Sequence, residues 1–389
     1  MDRKRVVVMG FMGGCPIAGV VWQHLHYIVG LQRLGHEVYY VEDSSRFPYD
    51  PVAYDATADC SYAVRKLAEL GAVFGFEGRW AFRARYTPGH DTYGLEAKAI
   101  DELYRTADAI LNVCGAQEMH EELLRSRNLI YVESDPGVEQ IRVDKGEAAA
   151  AELLSHHRAL FTFGEHVGTD KFPVPLHQFR WMPTRQPVVC DFWETTTPPP
   201  DGAVFTSVAN WNTRGKDIEW RGDKYLWSKS LEFLKFIQAP LQAGETFELA
   251  TKIRDPQTVA LFEANRWRLS DGEQQTICHD EYRRFLQNSK GEFTVAKDQY
   301  VRLHTGWFSD RSACYLAAGR PVITQETGFT ALYGGSEGLF AFSSLEQIPE
   351  AVRAINTDYA RHSEAARQIA REHFEATKVL ASLLERAGV

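Results

Sequence analysis

The sequence predicts an α/β protein of two doubly wound parallel-sheet domains facing a cleft. Three observations predict it. Short β-branched apolar runs alternate with amphipathic helical segments through the first 190 or so residues, a proline-rich break follows, and the alternation then restarts. Continuous apolar strands separated by helices imply parallel sheets covered on both faces, with ligands beyond the carboxyl ends of the strands.

In the first half, strands are predicted at Arg5–Phe11, Glu37–Glu42, Ala72–Phe76, Ala109–Cys114, Leu129–Glu133 and Ala159–Phe163. Helices are predicted at Val21–Leu34, Tyr62–Leu70, Ala97–Thr106 and Met119–Arg125. Leu34-Gly35-His36-Glu37-Val38 reads as a helix stopped by a glycine cap and passing straight into the second strand. Pro198-Pro199-Pro200 can neither continue a helix nor donate to a ladder, so Phe192–Gly202 is the linker. Beyond it, strands are expected at Val204–Val208, Thr246–Ala250, Glu292–Ala296, Pro321–Thr324 and Leu339–Phe342. Helices are expected at Trp227–Ile237, Pro256–Ala264, Tyr282–Asn288 and Ser309–Ala318, and the chain from Ser344 onward is almost wholly helical. The domains are therefore expected at 1–197 and 201–365, with 366–389 a C-terminal helix packing back on the first.

A chain that is 44% hydrophobic and 24% charged is neither disordered nor fibrous. With 43 Lys+Arg against 52 Asp+Glu and no basic block, nucleic acid is not the expected ligand. Six cysteines lie far apart in sequence, without CxxC spacing, which implies a reducing compartment. The apolar run after Arg5 breaks at Gly10, too early for a signal peptide, and no stretch approaches the ~20 residues that span a bilayer. The expected location is the cytoplasm.

The most informative stretch is Leu303–Ile323. It reads as a glycine-containing loop, Ser309 at an N-cap position, a helix, a glycine stop and a buried strand. The start of such a helix offers unpaired N–H groups and partial positive charge, a seat for phosphate. Gly306 lets the backbone approach closely, and His304 and Ser309 supply donors. The alternative is an ordinary capped helix with Trp307 in the core.

His304-Thr305-Gly306-Trp307-Phe308-Ser309, followed by the helix and Gly319-Arg320-Pro321-Val322-Ile323, resembles the donor-site signature of nucleotide-sugar-dependent glycosyltransferases of the B-type (GT-B) fold, particularly the UDP-glycosyltransferases. The resemblance implies two Rossmann-like domains with the donor site in the second, and His304, Gly306 and Ser309 as diphosphate contacts. The family's ribose-holding acid falls at Ser312 or Cys314 here, depending on the end counted from, so Asp310 is the carboxylate expected to substitute. The family's Asn after Trp is replaced by Phe308. Glu326 and Gly328 match a loop that presents an acid and backbone amides to the donor sugar; a plain turn is the other reading.

Ser207, Asn210 and Asn212 end the first strand of the second domain and either face the donor or form Asx-turns. Lys252 and Lys297 also end strands, where a cation either neutralises a leaving diphosphate or is a solvated surface lysine. In the resembling enzymes a Gly-Gly loop such as Gly13-Gly14 lets the first domain approach the donor phosphate. The missing GxGxxG argues against a dinucleotide oxidoreductase. His24 and His26 fall inside the following helix and read as structural. The base candidates are Asp135, then Glu133, then His90, with Asp135 alternatively capping the Asp135-Pro136-Gly137 turn.

The expected activity is sugar transfer from a nucleotide-diphosphate sugar, UDP-sugar foremost, to a small-molecule or glycan acceptor. Neither a metal nor a further cofactor is expected, the C-terminal loop having no DxD pair. Two other readings stay open: a sugar-nucleotide 2-epimerase of the same fold, and a non-catalytic nucleotide-sugar-binding protein.

Overall fold

The computed structural model of the protein describes residues 2–213 and 215–389. Its first sheet is built around β1 (Arg5–Met9), paired in parallel on both sides. Val6 and Val8 enter one apolar cluster and Val7 and Met9 another, so both faces of the strand are covered. That is why it reads as an unbroken apolar run. The other strands are β2 (Glu37–Ser44), β3 (Trp80–Ala84), β4 (Asp91–Gly94), β5 (Ala109–Val113), β6 (Leu129–Glu133), β7 (Ala159–Thr162) and β8 (Trp181–Pro183). Their order is β8-β7-β6-β5-β1-β2-β3-β4, parallel throughout except for the hairpin partner β4.

The second sheet holds β9 (Phe205–Val208), β10 (Phe247–Ala250), β11 (Trp267–Ser270), β12 (Gly291–Thr294), β13 (Val322–Gln325) and β14 (Leu339–Phe342). Its order, β11-β10-β9-β12-β13-β14, is all parallel. Strand order reverses beside β1 in one sheet and beside β9 in the other, the two switch points at which open α/β sheets hold ligands.

Most predicted elements form within a residue or two of their expected ends. The strand predicted at Ala72–Phe76 does not form. Those residues close the helix Ser61–Val73 and turn through Gly75, at φ +72°. The strand comes later, at β3, where Arg83 interrupts the apolar pattern. It is buried all the same, because Asp43 and Asp101 take its charge. The edge strands β4, β8 and β11 and the helices Val138–Asp144 and Ala148–Ser155 escaped the sequence reading.

At the C-terminus, the helix Tyr359–His373 runs unbroken through residues 365 and 366. Ser363 Oγ ties it to the Gly319 carbonyl (2.7 Å). The chain crosses back at Phe374–Ala376, where Val188 donates to the Phe374 carbonyl (2.7 Å) and accepts from Ala376 (2.8 Å). The last helix, Ala376–Arg386, then lies on the helix Ala18–Arg33. A Cβ on Gly30 would come within 2.6 Å of Leu380, so only glycine lets the two helices approach this closely. Among the described residues no helix is long and apolar enough to cross a membrane.

Candidate functional site

Between the two sheets lies a cavity of about 1020 Å³. The first half contributes Cys15 from the loop after β1, Gln23 from the helix Ala18–Arg33, and Tyr49. The second half contributes Asn210 and Asn212 after β9, Lys252 after β10, and Ser309, Asp310 and Arg311 at the start of the helix Asp310–Ala317. The strand ends thus converge where the two switch points face each other.

Tertiary contacts hold the loop into that helix. His304 adopts a left-handed φ of +48° and Gly306 one of +70°. His166, from the other half, donates its backbone N–H to the Thr305 carbonyl (3.0 Å) and its Nδ1 to the His304 carbonyl (2.9 Å). The Gly306 amide donates to Thr327 (2.8 Å). Ser309 is the N-cap residue, yet its side chain makes no capping hydrogen bond. Arg311 is fixed by Glu292 (2.6 Å), the Val208 carbonyl (2.6 Å) and Thr294 (2.8 Å).

Of the donor residues expected from sequence, Asn210, Asn212, Lys252, Ser309 and Asp310 line the cavity, while Ser207, Lys297, His304, Gly306, Glu326 and Gly328 do not. Ser207 is fully buried in β9 and spends its one donor in a strand-to-strand bond to Thr294 (3.3 Å). Gly306 and Gly328 make room for His166 rather than for a ligand: a Cβ would come within 3.1 Å and 2.4 Å of its ring. Glu326 accepts from the amide of Gly328 (2.5 Å). The Gly13 and Gly14 amides donate to the buried Glu42 (2.5 and 2.8 Å), so this chain's own carboxylate fills the position expected for phosphate. Burial pushes the Glu42 carboxyl up to about 7 against the opposing bonds from Tyr40, Gly13 and Gly14. His304 keeps an exposed side chain.

The base candidates fare differently from expectation. Asp135 accepts from Tyr300 and is ion-paired with Lys297 across the two halves. Burial would raise its carboxyl, but Lys297 and Tyr300 hold it below the usual range. A carboxylate stabilised in this way is a poor proton acceptor. Glu133 is 3% exposed and bonded to Gln140 and Thr162, and burial raises it to about 8. It is walled off from the cavity. His90 sits exposed in the β3–β4 turn at the outer edge of the first sheet.

The sequence reading missed Arg311, Gln23 and Lys229. Burial, then Arg311 and Lys297, push the Lys229 ammonium well below its ordinary range, which favours its neutral form. A cation one residue inside a helix expected to seat phosphate was the available signal for Arg311. Lys252 pairs with Glu273 (2.5 Å) and lies 5.1 Å over the Tyr54 ring of the opposite half. Among the described residues no group of three or more His, Cys, Asp and Glu side chains can hold a metal ion.

No protein-family model and no curated protein sequence matches the chain. Among solved structures it is similar, over 100% of both chains, to an alpha-glucosyltransferase in complex with UDP and a 13-mer DNA containing a central A:G mismatch, with a TM-score of 0.60 and 12% identity. It is similar to Anabaena HepE in complex with UDP and glucose (TM-score 0.55, 10% identity, 99% and 100% covered). It is also similar to AviGT4, a glycosyltransferase involved in avilamycin A biosynthesis (TM-score 0.54, 11% identity, 99% and 97% covered). The likeness is one of fold, and it agrees with the strand orders and the cleft: the chain has the two-sheet GT-B architecture.

Proposed function

We propose that the chain is a glycosyltransferase that moves a sugar from a nucleoside-diphosphate sugar, with UDP as the nucleotide, to a small-molecule or glycan acceptor, without a metal. The observation that carries this is the start of the helix Asp310–Ala317 on the wall of the interdomain cavity, with an uncapped Ser309 beside it. First-turn amides of a helix have no intrahelical acceptor, and the helix dipole favours an anion there. Catalysis in such a site is positioning plus electrostatic support of the departing diphosphate. The UDP held by the structural neighbours supports the nucleotide.

In this reading residues 1–197 face the acceptor, 201–365 hold the donor, and 366–389 return to the first domain. Six free cysteines fit a reducing cytoplasm. The acidic balance favours a non-nucleic acceptor, and a neighbour bound to DNA makes duplex DNA the control acceptor.

Thermal-shift screening of nucleoside diphosphates and their sugars tests the donor, since a ligand of the folded state alone raises Tm. UDP and UDP-sugars are expected to raise it, with donor consumption persisting in EDTA. An epimerised sugar from donor alone would convert the assignment to the epimerase. Binding without turnover across an acceptor screen would leave only a nucleotide-sugar-binding protein.

A further inference from the structure

We infer that Asp310 meets the donor diphosphate as a neutral carboxyl, donating a hydrogen bond to a phosphate oxygen from the first residue of the helix that seats it. The inference rests on the donor site proposed above and adds to it a group that changes protonation when the donor binds.

Two independent features mark the place. Asp310 and Ser309 lie side by side on the cavity wall. Ser309 is only 7% exposed, and its hydroxyl has no hydrogen-bond partner among the described residues, so a polar group opens unsatisfied onto the cavity. A ligand that presents oxygens there satisfies it. Asp310, on the same rim, makes only weak contacts: the Gln23 amide at 3.4 Å and its own backbone N–H.

An anion cannot lie against an ionised carboxylate without cost, so one of the two charges must be removed. Lys229, beside the helix start, makes no ion pair among the described residues, but burial and the neighbouring cations Arg311 and Lys297 favour its neutral form. Arg311 is held by Glu292, Val208 and Thr294; Lys297 is paired with Asp135; Lys252 is paired with Glu273. The titratable groups around Asp310 are mostly acidic: Asp135 beyond β6, the thiols of Cys114 and Cys314, and the phenols of Tyr27 and Tyr300, with Arg311 the cation on its own helix. Burial first, then Asp135, raises the free carboxyl to about 7. The arriving diphosphate pushes it higher still. Binding therefore takes up a proton. Affinity is complete below the free group's pKa and falls about tenfold per pH unit above it, until the bound-state value is reached.

The test is isothermal titration calorimetry of the full chain with UDP-glucose, at pH 6.5, 7.5 and 8.5, in buffers of differing ionisation enthalpy. Expected for the wild type are about tenfold weaker binding at pH 8.5 than at 7.5 and uptake of up to one proton. Asp310→Asn, which copies the neutral carboxyl, is expected to match wild type at pH 6.5 and to keep that affinity at 8.5. Ser309→Ala is expected to weaken binding at every pH while preserving the slope. A pH-independent wild type, or an Asp310→Asn protein of wild-type Tm that binds poorly at pH 6.5, would overturn the inference and leave Asp310 a ribose-holding carboxylate or a bystander. A wild type that binds no nucleotide sugar at any pH overturns the donor site itself, and this inference with it.

Discussion

His24 and His304 carry the same side chain into opposite surroundings. His24 is wholly buried, donates to the Val20 carbonyl (2.8 Å) and fills the space over Gly10, and burial lowers it to about 4. His24→Ala should leave a void costing about 2–4 kcal/mol in urea denaturation while UDP affinity is unchanged. His304→Ala should leave both UDP binding and Tm unaltered, because its exposed side chain lies off the cavity wall; weakened UDP binding would return His304 to the diphosphate site. Glu133 gives a pH prediction. Its folded pKa of about 8 lies above the unfolded one, so its stabilisation is complete below about pH 4.5, declines as pH rises, and is gone above about 8. Melting curves should therefore show Tm falling between pH 5 and 9, and Glu133→Gln should flatten that fall. The types of these residues were legible in the sequence. Their protonation was not, because desolvation is set by neighbours remote in the chain.

At the scale of the element, two helix starts look alike in sequence and differ in use. Asp255 is a working cap, accepting from the amide (2.8 Å) and hydroxyl (2.6 Å) of Thr258. Ser309 caps nothing within its own helix. Asp255→Ala should lower stability. Ser309→Ala should weaken UDP binding at unchanged stability, and a stability loss as large as that of Asp255→Ala would show Ser309 to be an ordinary cap. Elements with clean periodicity ended where they were read: Ala97–Thr106, Leu129–Glu133, Pro256–Ala264 and Leu339–Phe342. β3 was misplaced because Arg83 carries a charge into its middle, and only the Asp43 and Asp101 pairs make that burial tolerable.

Across the whole molecule, the cleft is bridged by groups that a linear reading sorted into other roles. Asp135, read as the base, joins the halves through Lys297 and Tyr300, and Trp307 donates to the Ser134 carbonyl (2.9 Å) beside it. The Asp135 side chain is 38% exposed, so solvent screens the pair, and Asp135→Asn should cost about 1–2 kcal/mol rather than the full loss of a buried pair. Its denaturation midpoint should drop while residual turnover stays well above that of a protein lacking its proton acceptor; complete inactivation at wild-type stability would restore Asp135 as the base. The sequence by itself determined the two α/β halves and, to within a residue at each end, the helix Asp310–Ala317, because periodicity, proline and glycine act over a few neighbouring residues. Only the tertiary structure decided that Glu42 occupies the Gly13-Gly14 amides, that His166 covers Gly306 and Gly328, and that Ser309 and Asp310 remain open to the cavity. Those outcomes depend on which side chains from distant segments arrive first at the same few donors, and local pattern carries no record of that competition.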